Sequence, residues 1–212
     1  MNLIAVEQGS DEWLEARLGL LTASRVADIM PGKRGQYLAS REQLLDKLLA
    51  ESFTKTASRN YQTKEMLWGV DKEDEARRLY ELETGNKVTR VGIAMHPTIK
   101  NFGGSPDGLI GKEGFIEIKC PDSHNHMRTL RTGEIDEKYL FQMHALMSVT
   151  ELQFCDFISY DPRFPEPTMQ IKITRVERTD PLVDAIESEA VKFIGELNVN
   201  LEKLKVTYAL EA

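Results

Sequence analysis

The sequence predicts an α/β domain built on a central mixed β-sheet flanked by helices. Two observations carry that prediction. Apolar residues recur at helical spacing in the first third of the chain and again near its end, and segments between them alternate polar and apolar with period two. A third is the order of these segments: helices, mixed strands, helix, strands, helix. No internal repeat, low-complexity tract or Pro/Ser-rich linker interrupts it, so residues 1–212 read as one domain.

Ser10-Asp-Glu-Trp13 has the form of a helix start with Ser10 as N-cap, and this short helix is expected to end near Leu18-Gly19. Thr22 is expected to cap a second short helix, Ala23 to about Met30, followed by a mobile basic loop, Pro31-Gly-Lys-Arg-Gly35. Leu44, Leu45, Leu48 and Leu49 define a helix from about Ser40 to Ser52. A longer one is expected from Thr63 to Thr84, ended by Gly85 at C′. Lys87 to Met95 alternates as a strand and opens the sheet. Gly103-Gly104 and Gly108 punctuate the next segment, and Gly111-Lys-Glu-Gly114 reads as a turn between two strands. After Pro121 a polar helical stretch precedes a helix from about Glu137 to Val149. Leu152–Tyr160 and Thr168–Val176 alternate around a Pro-rich turn and form a second strand pair; an amphipathic helix from about Asp180 to Leu204 follows.

Composition sets the class. The chain is 41% hydrophobic and 29% charged, as expected of a soluble globular protein with one well-packed core. No stretch approaches the ~20 apolar residues of a membrane span. The N-terminus lacks the charged and long apolar regions of a signal peptide, so a cytosolic protein is expected. Cys120 and Cys155 stand alone without CxxC spacing, which argues against zinc, and read as reduced, buried small hydrophobes. A net charge of −7 argues against nonspecific polyanion binding, although an acidic metal-dependent nuclease needs only local basic clusters.

The chemistry concentrates in Ser105-Pro-Asp-Gly-Leu109 and Gly114-Phe-Ile-Glu-Ile-Lys-Cys120: a Pro-Asp, nine residues, then Glu-x-Lys. In a strand Glu117 and Lys119 share one face while Ile116 and Ile118 share the other. Glu117 and Asp107 together attract a hard divalent cation, and Lys119 can stabilise or deprotonate an attacking water. The bland alternative is a polar-faced hairpin with an innocent Glu–Lys pair. The flanking apolar run weighs against it, since charges there are costly unless paired or metal-bound. His124 and His126 lack a zinc partner at suitable spacing and read as solvated loop residues; His96 and His144 read as structural, Met143 and Met147 as core.

Several separated stretches match one family in order. They are Ala5-Val-Glu-Gln-Gly9 with Trp13, Arg17-Leu-Gly19 with Thr22-Ala-Ser24, and Trp68-Gly69 with Glu73 and Ala76-Arg77. Ser105–Leu109, Glu117-Ile-Lys-Cys-Pro121, Tyr139 with Gln142, and Tyr160-Asp-Pro-Arg163 continue the series. On these residues the chain resembles the phage lambda-type alkaline exonucleases, viral recombination enzymes with the PD-(D/E)xK nuclease fold. The match runs from residue 5 to 163; the last fifty residues match only as a strand and a long helix.

The resemblance implies a Mg²⁺-dependent exonuclease, with Mn²⁺ able to substitute, that degrades one strand of duplex DNA from the 5′ end. It would release 5′-mononucleotides and leave 3′ overhangs. It further implies a homotrimeric ring around DNA, a single-strand annealing protein as partner, and a phage- or prophage-encoded protein in the cytosol of a bacterial host. By the same resemblance Asp107, Glu117, Glu73 and the Ile118 carbonyl hold metal, with Glu75 competing for the role of Glu73 if the register slips. Glu73 otherwise reads as half of a helical pair with Arg77. Lys119 and Gln142 join the catalytic set, Tyr139 lines the site, and Arg17, Ser24 and Ser105 correspond to a 5′-phosphate pocket, where a guanidinium suits a terminal phosphate. Met66 stands where the family can carry an apolar wedge, and Lys33, Arg34, Arg128 and Arg131 are candidate backbone contacts. Two rival readings remain: an endonuclease of the same fold, disfavoured by the lack of an added DNA-recognition domain, and a catalytically silent DNA-end-binding protein, disfavoured by the intact Asp107, Glu117 and Lys119.

Overall fold

The computed structural model describes residues 1–57 and 64–209, without the side chains of Glu65 and Met66, so the expected wedge at Met66 and helix start at Thr63 lie outside the described residues. After the edge strand β1 (Asn2–Ile4), Ser10 Oγ accepts the N–H of Trp13 and starts α1 (Asp11–Glu15). This helix ends earlier than expected, and the chain continues in single helical turns as far as Leu20. β2 (Leu21–Thr22) follows. Thr22 supplies no side-chain cap; its hydroxyl pairs with Ser24 Oγ at 3.2 Å. The expected single helix therefore divides into a 3-10 turn, Ala23–Arg25, and α2 (Val26–Ile29). α3 (Ala39–Thr54) and α4 (Lys64–Thr84) lie close to expectation, and Gly85 ends α4 at φ +71° with its N–H on the Glu81 carbonyl.

The expected strand from Lys87 to Met95 is broken. β3 (Val88–Thr89) and β4 (Ile93–Met95) belong to different sheets. Gly92 sits at the break, where a Cβ would come within 2.3 Å of the Ile4 carbonyl oxygen. Then come β5 (Phe102–Gly104), β6 (Gly108–Ile110), β7 (Gly114–Lys119), α5 (Ser123–Thr132), α6 (Glu137–Thr150) and β8 (Phe154–Tyr160). A helical turn, α7 (Pro167–Gln170), delays β9 (Ile171–Glu177), and α8 (Asp180–Thr207) runs slightly beyond its expected end.

The fold is mixed α/β, but its strands make two mixed sheets rather than one: β1-β4-β5-β2 and β3-β6-β7-β8-β9. β6–β7 is the expected hairpin, and β8–β9 pairs antiparallel as expected. β7 and β8 run parallel, which requires the crossover that α5 and α6 provide. One face of the larger sheet packs Phe115, Cys155 and Phe157 against helices α2, α3, α6 and α8. The other packs Ile116, Ile118 and Ile158 under Ala76 and Tyr80 of α4. Asp156, buried in β8, accepts from Tyr80 Oη at 2.7 Å and Arg175 Nε at 2.8 Å, which fixes α4 over the sheet.

His124 and His126 lie on α5, not in a loop. His124 is exposed, but His126 is fully buried: its Nε2–H donates to the Met169 carbonyl and Nδ1 accepts from Ser159, both at 2.8 Å. His126 is the one buried residue of α5, and its paired ring nitrogens make that burial tolerable. His96, His144, Met143 and Met147 are buried as expected; both cysteines are free, Cys155 buried and Cys120 only partly so. Among the described residues no helix is long and apolar enough to cross a membrane.

Candidate active site

The alternation of β7 divides its side chains as the sequence suggests: Ile116 and Ile118 go under α4, while Glu117 and Lys119 turn towards α6. Glu117 is only 1% exposed. Its Oε1 accepts from Lys119 Nζ and from Gln142 Nε2, both at 2.6 Å, and Lys119 Nζ also lies 3.5 Å from Gln142 Oε1, so Gln142 on α6 holds the Glu117–Lys119 pair. Tyr139, one turn earlier, sets its ring 4.9 Å from the Lys119 ammonium. Burial alone would depress that ammonium's pKa, but the Glu117 and Asp107 carboxylates outweigh it and raise the pKa above the ordinary lysine range.

Asp107 lies on the three-residue connector from β5 to β6. Its N–H donates to the Ile116 carbonyl at 3.2 Å, and its Oδ2 accepts the Ile118 N–H at 2.6 Å. Burial, then repulsion from Glu117, pushes its carboxyl up to about 7. Glu73 reaches the same region from α4, its pKa raised by burial and by Asp107, while its carboxylate pairs with Arg77. Among the described residues no three His, Cys, Asp or Glu side chains close into a ligand cluster; Asp107 and Glu117 are the pair, with Glu73 turned to Arg77. Glu117 Oε2 is buried without a hydrogen-bond partner. An unpartnered carboxylate oxygen beside a second carboxylate that resists ionisation is a donor set suited to a hard divalent cation, and these residues fit one.

Asp107, Glu117, Ile118, Lys119, Gln142, Tyr139 and Glu73 line a single cleft of ≈ 650 Å³ together with Arg17, Ser24 and Ser105. Residues separated by more than a hundred positions thus meet at the seam between the two sheets. Gly104 closes that seam: a Cβ there would lie 2.7 Å from a Leu146 methyl and 2.8 Å from the Ala23 Cβ. Burial lowers the Arg17 pKa to about 10, partly offset by Glu51, so the guanidinium stays charged in the cleft. Cys120 lines the cleft as well, its thiol pushed up to about 12 by burial and by Glu73 and Asp107, which leaves it a neutral wall. Lys33, Arg34, Arg128 and Arg131 are exposed and lie outside the cleft lining.

Sequence reasoning gave no role to Gln8 and Trp13. Gln8 Nε2 donates to the Val91 and Pro106 carbonyls, both at 2.9 Å, bracing the connector beside Asp107. Trp13 Nε1 donates to Ser105 Oγ at 3.0 Å and its ring lies 3.9 Å from the Arg17 guanidinium carbon. Both stand in stretches already matched to the exonuclease motifs, which was the available signal; the partners, some 90 residues away, were not readable.

A family profile described as the YqaJ-like viral recombinase domain matches residues 12–153. The alkaline exonuclease LHK-Exo from Laribacter hongkongensis is 44% identical over 94% of this chain and 98% of its own, with a TM-score of 0.88; the same values hold for its complex with dAMP. A phage-related exonuclease from Haemophilus somnus 129PT, 15% identical with a TM-score of 0.64 over 86% of this chain and 96% of its own, shares the fold. The comparison with curated proteins gave no match. Likeness to LHK-Exo over nearly the whole of both chains assigns a nuclease role, and with the matched profile it establishes that the chain belongs to the YqaJ-like viral recombinase family, the family of alkaline exonucleases.

Proposed function

We propose that the protein is a divalent-metal-dependent 5′→3′ exonuclease of linear duplex DNA that releases 5′-mononucleotides and leaves 3′ overhangs. The observation that carries this reading is the joining, in one cleft, of the Asp107–Glu117–Lys119–Gln142 cluster with Arg17, Ser24 and Ser105. The first group suits phosphodiester hydrolysis, and the second suits a terminal phosphate. The complex of LHK-Exo with dAMP, a deoxynucleoside monophosphate, supports a mononucleotide product.

Asp107 and Glu117, with Glu73 and the Ile118 carbonyl as further oxygen donors, would hold Mg²⁺ or Mn²⁺. The ion, when bound, supplies Lewis-acid polarisation of the phosphoryl group and a more acidic water. Gln142 fixes the Glu117 carboxylate through its 2.6 Å bond. Lys119, its Nζ 2.6 Å from Glu117 Oε1, acts by stabilising developing phosphoryl charge. Arg17 presents its guanidinium to the 5′-phosphate, and its partial desolvation strengthens that attraction.

End-labelled linear duplex and covalently closed circular duplex, digested side by side with Mg²⁺, test the activity: only the linear form is expected to be consumed. Cleavage of the closed circle would instead support the endonuclease reading. Arg17→Ala should cut the preference for a 5′-phosphorylated over a 5′-hydroxyl end about tenfold or more, the scale of a lost charge-assisted hydrogen bond. Initial rates on both ends measure this, and an unchanged ratio leaves Arg17 only its stack on Trp13.

A chain of net charge −7 has little intrinsic hold on DNA, and a closed ring of subunits around the duplex would retain it topologically. The proposal is a homotrimer whose channel gathers Lys33, Arg34 and Arg17, working beside a single-strand annealing protein. Light scattering at low micromolar concentration should give the trimer mass, and a competitor-DNA trap added after digestion begins should not stop it. A monomer or dimer arrested at once by the trap sinks the ring and leaves the active-site assignment standing.

A further inference from the structure

We propose that Trp13 is a positioning residue that sets both cleft groups reserved for the 5′-phosphate: it orients Arg17 through its ring face and Ser105 through its indole N–H. The inference deepens the reading of Arg17, Ser24 and Ser105 as a phosphate pocket and rests on it.

The geometry begins in the sequence. Ser10 caps α1 on the Trp13 N–H at 3.2 Å, and past Glu15 the chain tightens into turns in which the Arg17 N–H donates to the Leu14 carbonyl. Arg17 thereby comes over Trp13, its guanidinium carbon 3.9 Å from the ring centroid. A guanidinium shed of part of its water gains from an aromatic face, and the stack removes rotamer freedom that phosphate binding would otherwise have to remove. The indole N–H is a donor only. Its bond to Ser105 Oγ at 3.0 Å therefore uses a lone pair of the serine and leaves the serine's own proton to be donated elsewhere. Trp13, Arg17 and Ser105 all line the cleft, so that proton has an acceptor there when a phosphate oxygen arrives. A tryptophan retained for packing alone would be indifferent to replacement of its N–H.

The test is a double-mutant cycle on linear duplexes carrying a 5′-phosphate or a 5′-hydroxyl. Trp13→Phe keeps a ring beneath Arg17 and loses the N–H. On the phosphorylated duplex it is expected to raise KM about fivefold with kcat changed less than about twofold, the loss of one neutral hydrogen bond's orientation. The hydroxyl-ended duplex should change far less. Ser105→Ala should raise KM similarly, and Trp13→Phe/Ser105→Ala should be no worse than either single variant. Trp13→Leu, which also loses the ring, should approach Arg17→Ala. If Trp13→Leu fails to fold, the Trp13→Phe cycle still decides. An additive cycle, or equal losses on both ends, would overturn the inference. A phosphate-selective wild type with an indifferent Trp13→Phe removes the inference alone; a wild type indifferent to 5′-phosphate removes the pocket as well.

Discussion

Asp107→Ala and Glu117→Ala are expected to abolish hydrolysis, by ~10³-fold or more, which corresponds to at least about 4 kcal/mol of lost transition-state stabilisation. The two substitutions differ in what they leave behind. Asp107 sits at the cleft surface of the connector, and its removal relieves a carboxyl whose charge burial and Glu117 both disfavour. Glu117 is buried at the middle of β7, and truncating it orphans the Lys119 ammonium and the Gln142 amide together. Glu117→Gln is therefore the companion variant, since it keeps the volume and a carbonyl acceptor while removing the charge. Calorimetric titration with Mg²⁺ or Mn²⁺ should weaken in parallel with activity in all three, while far-UV circular dichroism stays that of the parent. Near wild-type turnover in any of them at saturating Mg²⁺ would refute the metal assignment.

Lys119→Met is expected to behave differently: metal and DNA binding persist, and the rate falls about 10²- to 10³-fold, the cost of removing one preorganised charge. The argument is electrostatic. Lys119 lines the cleft beside Glu117, so its removal subtracts positive charge from the place where negative charge develops, yet takes no oxygen donor from a metal. Metal affinity should stay level or rise, because the ammonium no longer competes for Glu117. Single-turnover rates beside calorimetry separate the two effects. A variant that lost metal affinity and kept its rate would exchange the roles of lysine and carboxylate.

The reacting half of the site was legible because it is local. Period-two alternation fixes which way Glu117 and Lys119 face, and Pro106-Asp107 with a glycine-marked turn returns the chain alongside them. The meeting of Arg17 with Ser105, the proposed phosphate half, is legible only through family resemblance, since nothing in sequence spacing brings the two together. The failures have physical causes. Lys87–Met95 reads as one strand, but the pattern cannot reveal that Gly92 must admit the Ile4 carbonyl and send the two ends into separate sheets. His126 looked solvated because its neighbours are, and one inward position on a polar helix leaves no periodic trace. Thr22 has a capping residue's identity, yet its hydroxyl is spent on Ser24.

The connector Ser105-Pro106-Asp107 carries a consequence for product length. Two residues of chain span at most about 7 Å, and here they separate the serine of the proposed phosphate pocket from the aspartate of the proposed metal pair. Proline stiffens the middle position, and Gln8 clamps its carbonyl at 2.9 Å. If the strand end is anchored at one side of this rigid span and cut at the other, the backbone itself is the ruler, and its stride is a single nucleotide. Processing in ones rather than twos or threes would then be a property of three covalently linked residues, indifferent to base identity.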